Sequence, residues 1–236
     1  MKRLIMILVL FASINVFAED MSNFFKDTIN LAQEEKSQEA LKRFIWLYNH
    51  ALEHDPAFYG VRLSYLLEYW KGLADKYPPA LKALQDVRDK ETELLKNGKG
   101  TYETFNEVVS INRVLEEEEK SVELFVFIDN KDPELAKRCW KYIDSRIIAA
   151  KKIDLVRKYE PDLMKKFKEI VFTYKSNVLR YETFEHRDAF KKFNEDDFVC
   201  ESLNLISAIE AIKDKIAAEE IRKKAFEILP DQRFKQ

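Results

Sequence analysis

Glycine and proline are scarce in this chain, four and six copies among 236 residues. The turn chemistry that a β-sandwich or barrel requires is therefore largely missing. Phosphate-cradling and nucleophile motifs are missing too: there is no P-loop, no dinucleotide-binding glycine pattern and no G-x-S-x-G elbow. Neither charge sign dominates, with 40 Lys and Arg against 42 Asp and Glu, so the chain lacks the basic footprint of a nucleic-acid binder. Apolar and aromatic side chains are plentiful at 46% and 13%. That supply offsets the entropy of ordering the backbone and argues against disorder. An all-α protein with an ample core is expected.

The start of the chain sets a context. Lys2 and Arg3 precede an apolar run, Leu4 to Phe11, and Val16-Phe17-Ala18 stands before Glu19-Asp20. This reads as a secretory signal peptide over residues 1–18, its apolar core too short for a comfortable membrane span. Residues 19–236 then form the mature domain, exported to the bacterial periplasm or secreted, with no stable membrane span. Loss of two basic residues takes the formal net charge from −2 to −4. In an oxidising compartment Cys139 and Cys200 can pair, although two small buried apolar side chains is the simpler reading.

The stretch from Phe105 to Pro133 spells out one helix-turn-helix unit. Phe105, Val108 and Val109 share a helical face, a charged turn follows from Glu116 to Lys120, then come Ser121, Phe125 and Ile128, and Pro133 closes the unit. One repeat length of 34 residues beyond Phe105, Val108 and Phe125 stand Cys139, Tyr142 and Tyr159. Trp70-x2-Leu73-Ala74-x2-Tyr77 carries half of the same signature, and Ala218, Arg222, Ala225 and Pro230 keep its small, aromatic, small, proline spacing with Arg222 in the aromatic place. These spacings resemble the tetratricopeptide repeat. The resemblance implies an α-solenoid of about five to six antiparallel helix pairs in a right-handed superhelix.

Periodicity places the helices in order. Phe24, Phe25, Thr28, Leu31 and Ala32 mark the first; Ala40, Phe44, Leu47, Tyr48 and Ala51 mark the second, which stops at Asp55-Pro56. A single third helix is expected from Ala57 to Tyr77, a fourth from Pro79 to Leu95, a seventh from Pro133 to Ala150 and an eighth from Ile153 to Tyr159. Beyond Pro161 the pattern gives a long helix to Tyr181, a short one over 185–193 and a separate one over 197–213. The tail after Pro230 is expected to be loose.

His50-Ala-Leu-Glu53-His54 matches H-x-x-E-H, in which two imidazoles at i and i+4 hold zinc and the glutamate acts as base. A metal-dependent hydrolase using His50, Glu53 and His54 is therefore one alternative, against a plain helix end where a cation complements the dipole. His186 falls in the least regular region, and Glu201-Ser202 lacks the Gly-Leu-Met-Gln turn of peptidoglycan-cleaving domains. The resemblance to a repeat array implies instead a non-catalytic scaffold, without cofactor, that binds a protein or peptide on its concave face. The candidates there are Arg62, Tyr65, Glu68 and Tyr69, then Asn106, Asn112 and Arg113, then Arg138 and Lys141. Assembly through the convex face or by dimerisation is a further alternative. Gly60 marks either a close backbone approach or a helix boundary. The run Glu116 to Glu119 reads as solvated, and Lys165, Lys166 and Lys168 as an outer face with Phe167 and Ile170 inward.

Overall fold

A computed structural model describes residues 21–183 and 187–235. The signal peptide expected over residues 1–18 and His186 lie outside the described residues. Thirteen α-helices occur among the described residues, and no strand: α1 (Met21–Gln33), α2 (Ser37–His54), α3 (Tyr59–Arg62), α4 (Tyr65–Ala74), α5 (Pro78–Lys96), α6 (Tyr102–Val114), α7 (Glu118–Lys131), α8 (Pro133–Cys139), α9 (Asp144–Ala149), α10 (Ile153–Tyr159), α11 (Leu163–Val178), α12 (Arg187–Ala211) and α13 (Lys215–Ile228). The all-α class expected from composition is the one observed. No helix among the described residues is long and apolar enough to cross a membrane. The chain divides into two compact units, the first ending at Val87 and the second beginning at Arg88.

In the first unit α1 lies on α2, and both touch α4. Ala40 and Ala51 are fully buried, and such small side chains let helices approach closely. Trp70 is the anchor: it is fully buried, stacks on Phe44 at 6.2 Å, and its indole N–H donates to the Ala80 carbonyl at 3.1 Å. The apolar body and the polar tip are both satisfied, as a buried tryptophan requires.

The third helix is broken, contrary to expectation. A 3-10 turn at Pro56–Phe58 and the short α3 precede a kink at Ser64, where φ is −126° and ψ −93°. The Ser64 hydroxyl donates to the Gly60 carbonyl at 2.6 Å, and a serine bonding to local backbone competes with helix continuation. Arg62, just before the kink, is buried; its Nε donates to the Tyr48 carbonyl at 2.6 Å and its guanidinium lies 4.0 Å from the Tyr48 ring centre. Gly60 has nothing within 4 Å of where a Cβ would stand, so it marks a boundary and no close approach.

In the second unit Phe125, fully buried, gathers Phe105 at 6.0 Å, Trp140 at 5.8 Å and Tyr159 at 5.6 Å. The seventh helix is also interrupted: a 3-10 turn at Trp140–Tyr142 and Ile143, with φ −134°, separate α8 from α9. Trp140 stacks on Tyr159 at 5.3 Å within this aromatic cluster. Conversely, the two helices expected over 185–193 and 197–213 are one, the 25-residue α12. Its core stripe includes Asn194 and Ser202, polar residues that a hydrophobic-periodicity reading discounts. Asn194 is satisfied, accepting from Asn177 at 2.9 Å and donating to the Tyr181 hydroxyl at 2.8 Å. The tail is anchored too: Phe234 is buried, and Arg233 bonds Asp196 at 2.9 Å.

Four inter-helix turns share one backbone form. Glu35, Glu116, Lys151 and Lys213 have φ between 53° and 66°. The next residue in each case donates its N–H to the carbonyl five positions back: Lys36 to Leu31, Glu117 to Asn112, Lys152 to Ile147 and Asp214 to Ile209, at 2.8 to 3.3 Å. This is Schellman closure, which caps the orphan carbonyls of the preceding helix. Holding a non-glycine residue there costs roughly 1 kcal/mol or more, so the surrounding packing enforces the turn. Gly98, φ 68°, closes α5 the same way, and a Cβ on Gly100 would stand 2.7 Å from Leu95 Cδ2.

Candidate functional site

Within the second unit, α9, α11 and α12 enclose a cleft of about 470 Å³. Asp144 enters it from the first turn of α9 and Lys166 from α11, while Asn194, Asp197 and Glu201 come from α12 at i, i+3 and i+7, one helical face. Lys166 is buried and forms an ion pair with Asp144 Oδ2. The other Asp144 oxygen accepts the Ser145 backbone N–H at 2.6 Å. The outer-face reading therefore fails for Lys166, although Lys165 and Lys168 are exposed as expected.

That pairing leaves Glu201 and Asp197 without a cation of their own. Burial pushes the Glu201 carboxyl above its ordinary range, opposed by a hydrogen bond from Ser145. Desolvation alone raises Asp197, and no ion pair reaches it among the described residues. Tyr174, on the cleft wall, is likewise raised by burial. Two carboxyls with spare acceptor capacity beside a half-open cavity form a site for an ammonium or guanidinium group.

The residues expected on a binding surface are distributed unevenly. Arg62 and Asn112 are buried, so neither is available to a ligand. Arg62 serves the Tyr48 carbonyl, and Asn112 bridges Arg88 and Ser121 at 3.0 and 2.9 Å. Asn106 and Arg113 are half-buried on α6. Tyr65, Glu68 and Tyr69 are exposed on α4 in the first unit, with Tyr69 edge-on to Phe25 at 5.8 Å. Arg138 and Lys141 do come together: Arg138 lies 4.2 Å from the Tyr102 ring centre, and Lys141 lies 4.7 Å from that of Tyr142. Lys141 also borders the cleft.

His50 and His54 both lean on Trp46, with ring centres 5.7 and 5.5 Å away, and His50 Nδ1 lies 3.2 Å from Glu53 Oε1. No group of three or more His, Cys, Asp or Glu able to hold a metal occurs among the described residues. Cys139 is buried and Cys200 exposed, both as free thiols; burial pushes Cys139 up to about 12. The simple reading holds for Cys139 and fails for Cys200. Glu117, read as solvated, instead pairs with Arg88.

Sequence reasoning passed over Asp144, Ser145, Lys166, Asp197 and Glu201 as a group. One signal was present: Lys166 falls on the stripe of Phe167, Ile170 and Tyr174, an apolar face on which an ammonium needs a partner. No protein-family model matches the chain, and no curated protein or solved structure is significantly similar to it.

Proposed function

We propose that this protein is a non-catalytic, exported scaffold that recognises a basic side chain of a protein or peptide partner in the α9–α11–α12 cleft. The carrying observation is the pair of carboxyls lining the cleft, half-buried Glu201 and exposed Asp197, beside a Lys166 already matched to Asp144. A partner lysine or arginine entering the cleft supplies further donors and an opposite charge, which favours the ionised form of both carboxyls. The tetratricopeptide-like reading supports a scaffold role. Each unit is then a run of antiparallel helix pairs of the solenoid kind, with Schellman turns joining partners and aromatics such as Phe125 wedged between pairs. Export rests on the Lys2-Arg3 and Leu4–Phe11 pattern and is tested by cell fractionation.

Calorimetric titration with an unstructured Arg-rich hexapeptide and a Glu-rich control tests the cleft. The expected result is binding of the basic peptide alone, weakened about tenfold or more, roughly 1.4 kcal/mol, by the Glu201→Gln and Asp197→Asn double variant. Equal binding of the two peptides, or no effect of the double variant, overturns the assignment.

A further inference from the structure

Helix α11 has a second working face. Lys166, Ile170 and Tyr174 line the cleft, whereas Lys168, Phe172, Lys175 and Leu179 follow one another at four, three and four residues, a continuous stripe on another side of the helix. Position 168 stands about 200° around the axis from 166. Phe172 is 74% exposed and Leu179 85%. Exposed apolar side chains contiguous with an apolar groove mark a candidate interaction surface.

Beside that stripe α11 and α13 form a groove of about 450 Å³. Its floor is apolar, built from Met164, Phe167, Val171 and Ile228, and cations stand on both walls: Lys168 and Lys175 on α11, Lys224 on α13. Lys224 is matched by Glu220 at 2.7 Å, whereas Lys168 and Lys175 meet no carboxylate among the described residues. Glu227 is the single acid on the groove.

From this geometry we infer that the α11–α13 groove docks an acidic amphipathic helix of a partner protein. The partner's apolar face covers Phe172 and the groove floor, and its Asp or Glu flanks meet Lys168 and Lys175. Charge complementarity selects this occupant. A concave floor between two walls suits a helix with apolar anchors at i, i+3 and i+7, and unpaired lysines beside it raise the encounter rate of an anionic partner. This docking is independent of the cleft, which reads the opposite charge.

The test uses the full chain and two synthetic amphipathic helical peptides of about 18 residues, long enough for roughly five turns. Both carry Leu and Phe on one face, one with Glu flanks and one with Lys flanks. With the cleft carboxyls neutralised by Glu201→Gln and Asp197→Asn, fluorescence anisotropy is expected to show binding of the Glu peptide and at least about tenfold weaker binding of the Lys peptide. Phe172→Asp, a change at an exposed position checked for retained helicity by circular dichroism, is expected to weaken the Glu peptide about tenfold or more. The Lys168→Glu and Lys175→Glu double variant is expected to reverse the preference. Absence of binding, equal binding of both peptides, or indifference to Phe172→Asp overturns the inference. So does binding to phosphatidylglycerol vesicles, or a dimer in sedimentation, that Phe172→Asp abolishes while the Glu peptide fails to bind.

Discussion

Arg88 and Lys166 are both buried cations of the second unit, and the carboxyls around them behave in opposite ways. Arg88 Nη1 donates to Asn112 Oδ1 at 3.0 Å and to Glu117 Oε2, its Nε reaches Asp89, and Asn112 passes the chain on to Ser121. Burial pushes Glu117 upward, yet hydrogen bonds from Lys120 and Arg88 prevail and its carboxyl lies below the ordinary range. Around Lys166 the cation matches Asp144 alone, and Glu201 and Asp197 are raised. Similar ingredients give a satisfied network in one place and spare acceptor capacity in the other. A satisfied buried network specifies structure, whereas a partly satisfied one beside a cavity invites a ligand.

The largest expected effect that sharpens this contrast is Arg88→Met. Removing the guanidinium leaves Asn112 Oδ1 without its donor and Glu117 with Lys120 alone, and urea unfolding is expected to lose about 3–5 kcal/mol. Lys166→Met is expected to lose less, about 1–3 kcal/mol, because Asp144 keeps the Ser145 N–H and the half-open cleft admits water. Equal losses at the two sites break the comparison.

Glu117→Gln comes next, at about 1–2 kcal/mol near neutral pH. The folded value of Glu117 lies below its unfolded one, so its contribution is present above the ordinary value of 4.5 and is lost as pH falls through the folded value. The difference between Glu117→Gln and the parent should therefore vanish in acid. Glu201 runs the other way: its folded value is raised, so its contribution is complete below the unfolded value and is lost as pH rises through the folded one. Glu201→Gln is accordingly expected to be neutral in acid and to gain up to about 1 kcal/mol at neutral pH. Stability curves of the two variants against pH should bend in opposite senses, and parallel curves would sink the distinction.

Much of the helical plan was legible from residue spacing. Asp55-Pro56 and Asp132-Pro133 stop α2 and α7 where expected, Ile153 to Tyr159 forms α10, and Phe105 and Phe125 meet as their shared faces suggested. The breaks at Ser64 and Ile143 were not legible. In the first case a buried arginine takes a carbonyl of another helix, and in the second Trp140 enters an aromatic cluster built from α7 and α10, neither of which is visible locally. Helix α12 is not legible as one element because apolar periodicity is poor over 185–193 and Asn194, at the expected break, occupies a core position; the partners that satisfy Asn194 come from α11 and the turn after it. The cleft was the least legible part, since Asp144, Lys166 and Glu201 stand on three helices with no shared period.

By itself the sequence determined that this chain is helical and where most of its helices turn, because side-chain periodicity, proline and capping act within a few residues. Only the tertiary structure decided which ionisable groups are spent on the fold and which are left facing a cavity. That difference depends on burial and on the nearest opposite charge, both set by helices distant along the chain.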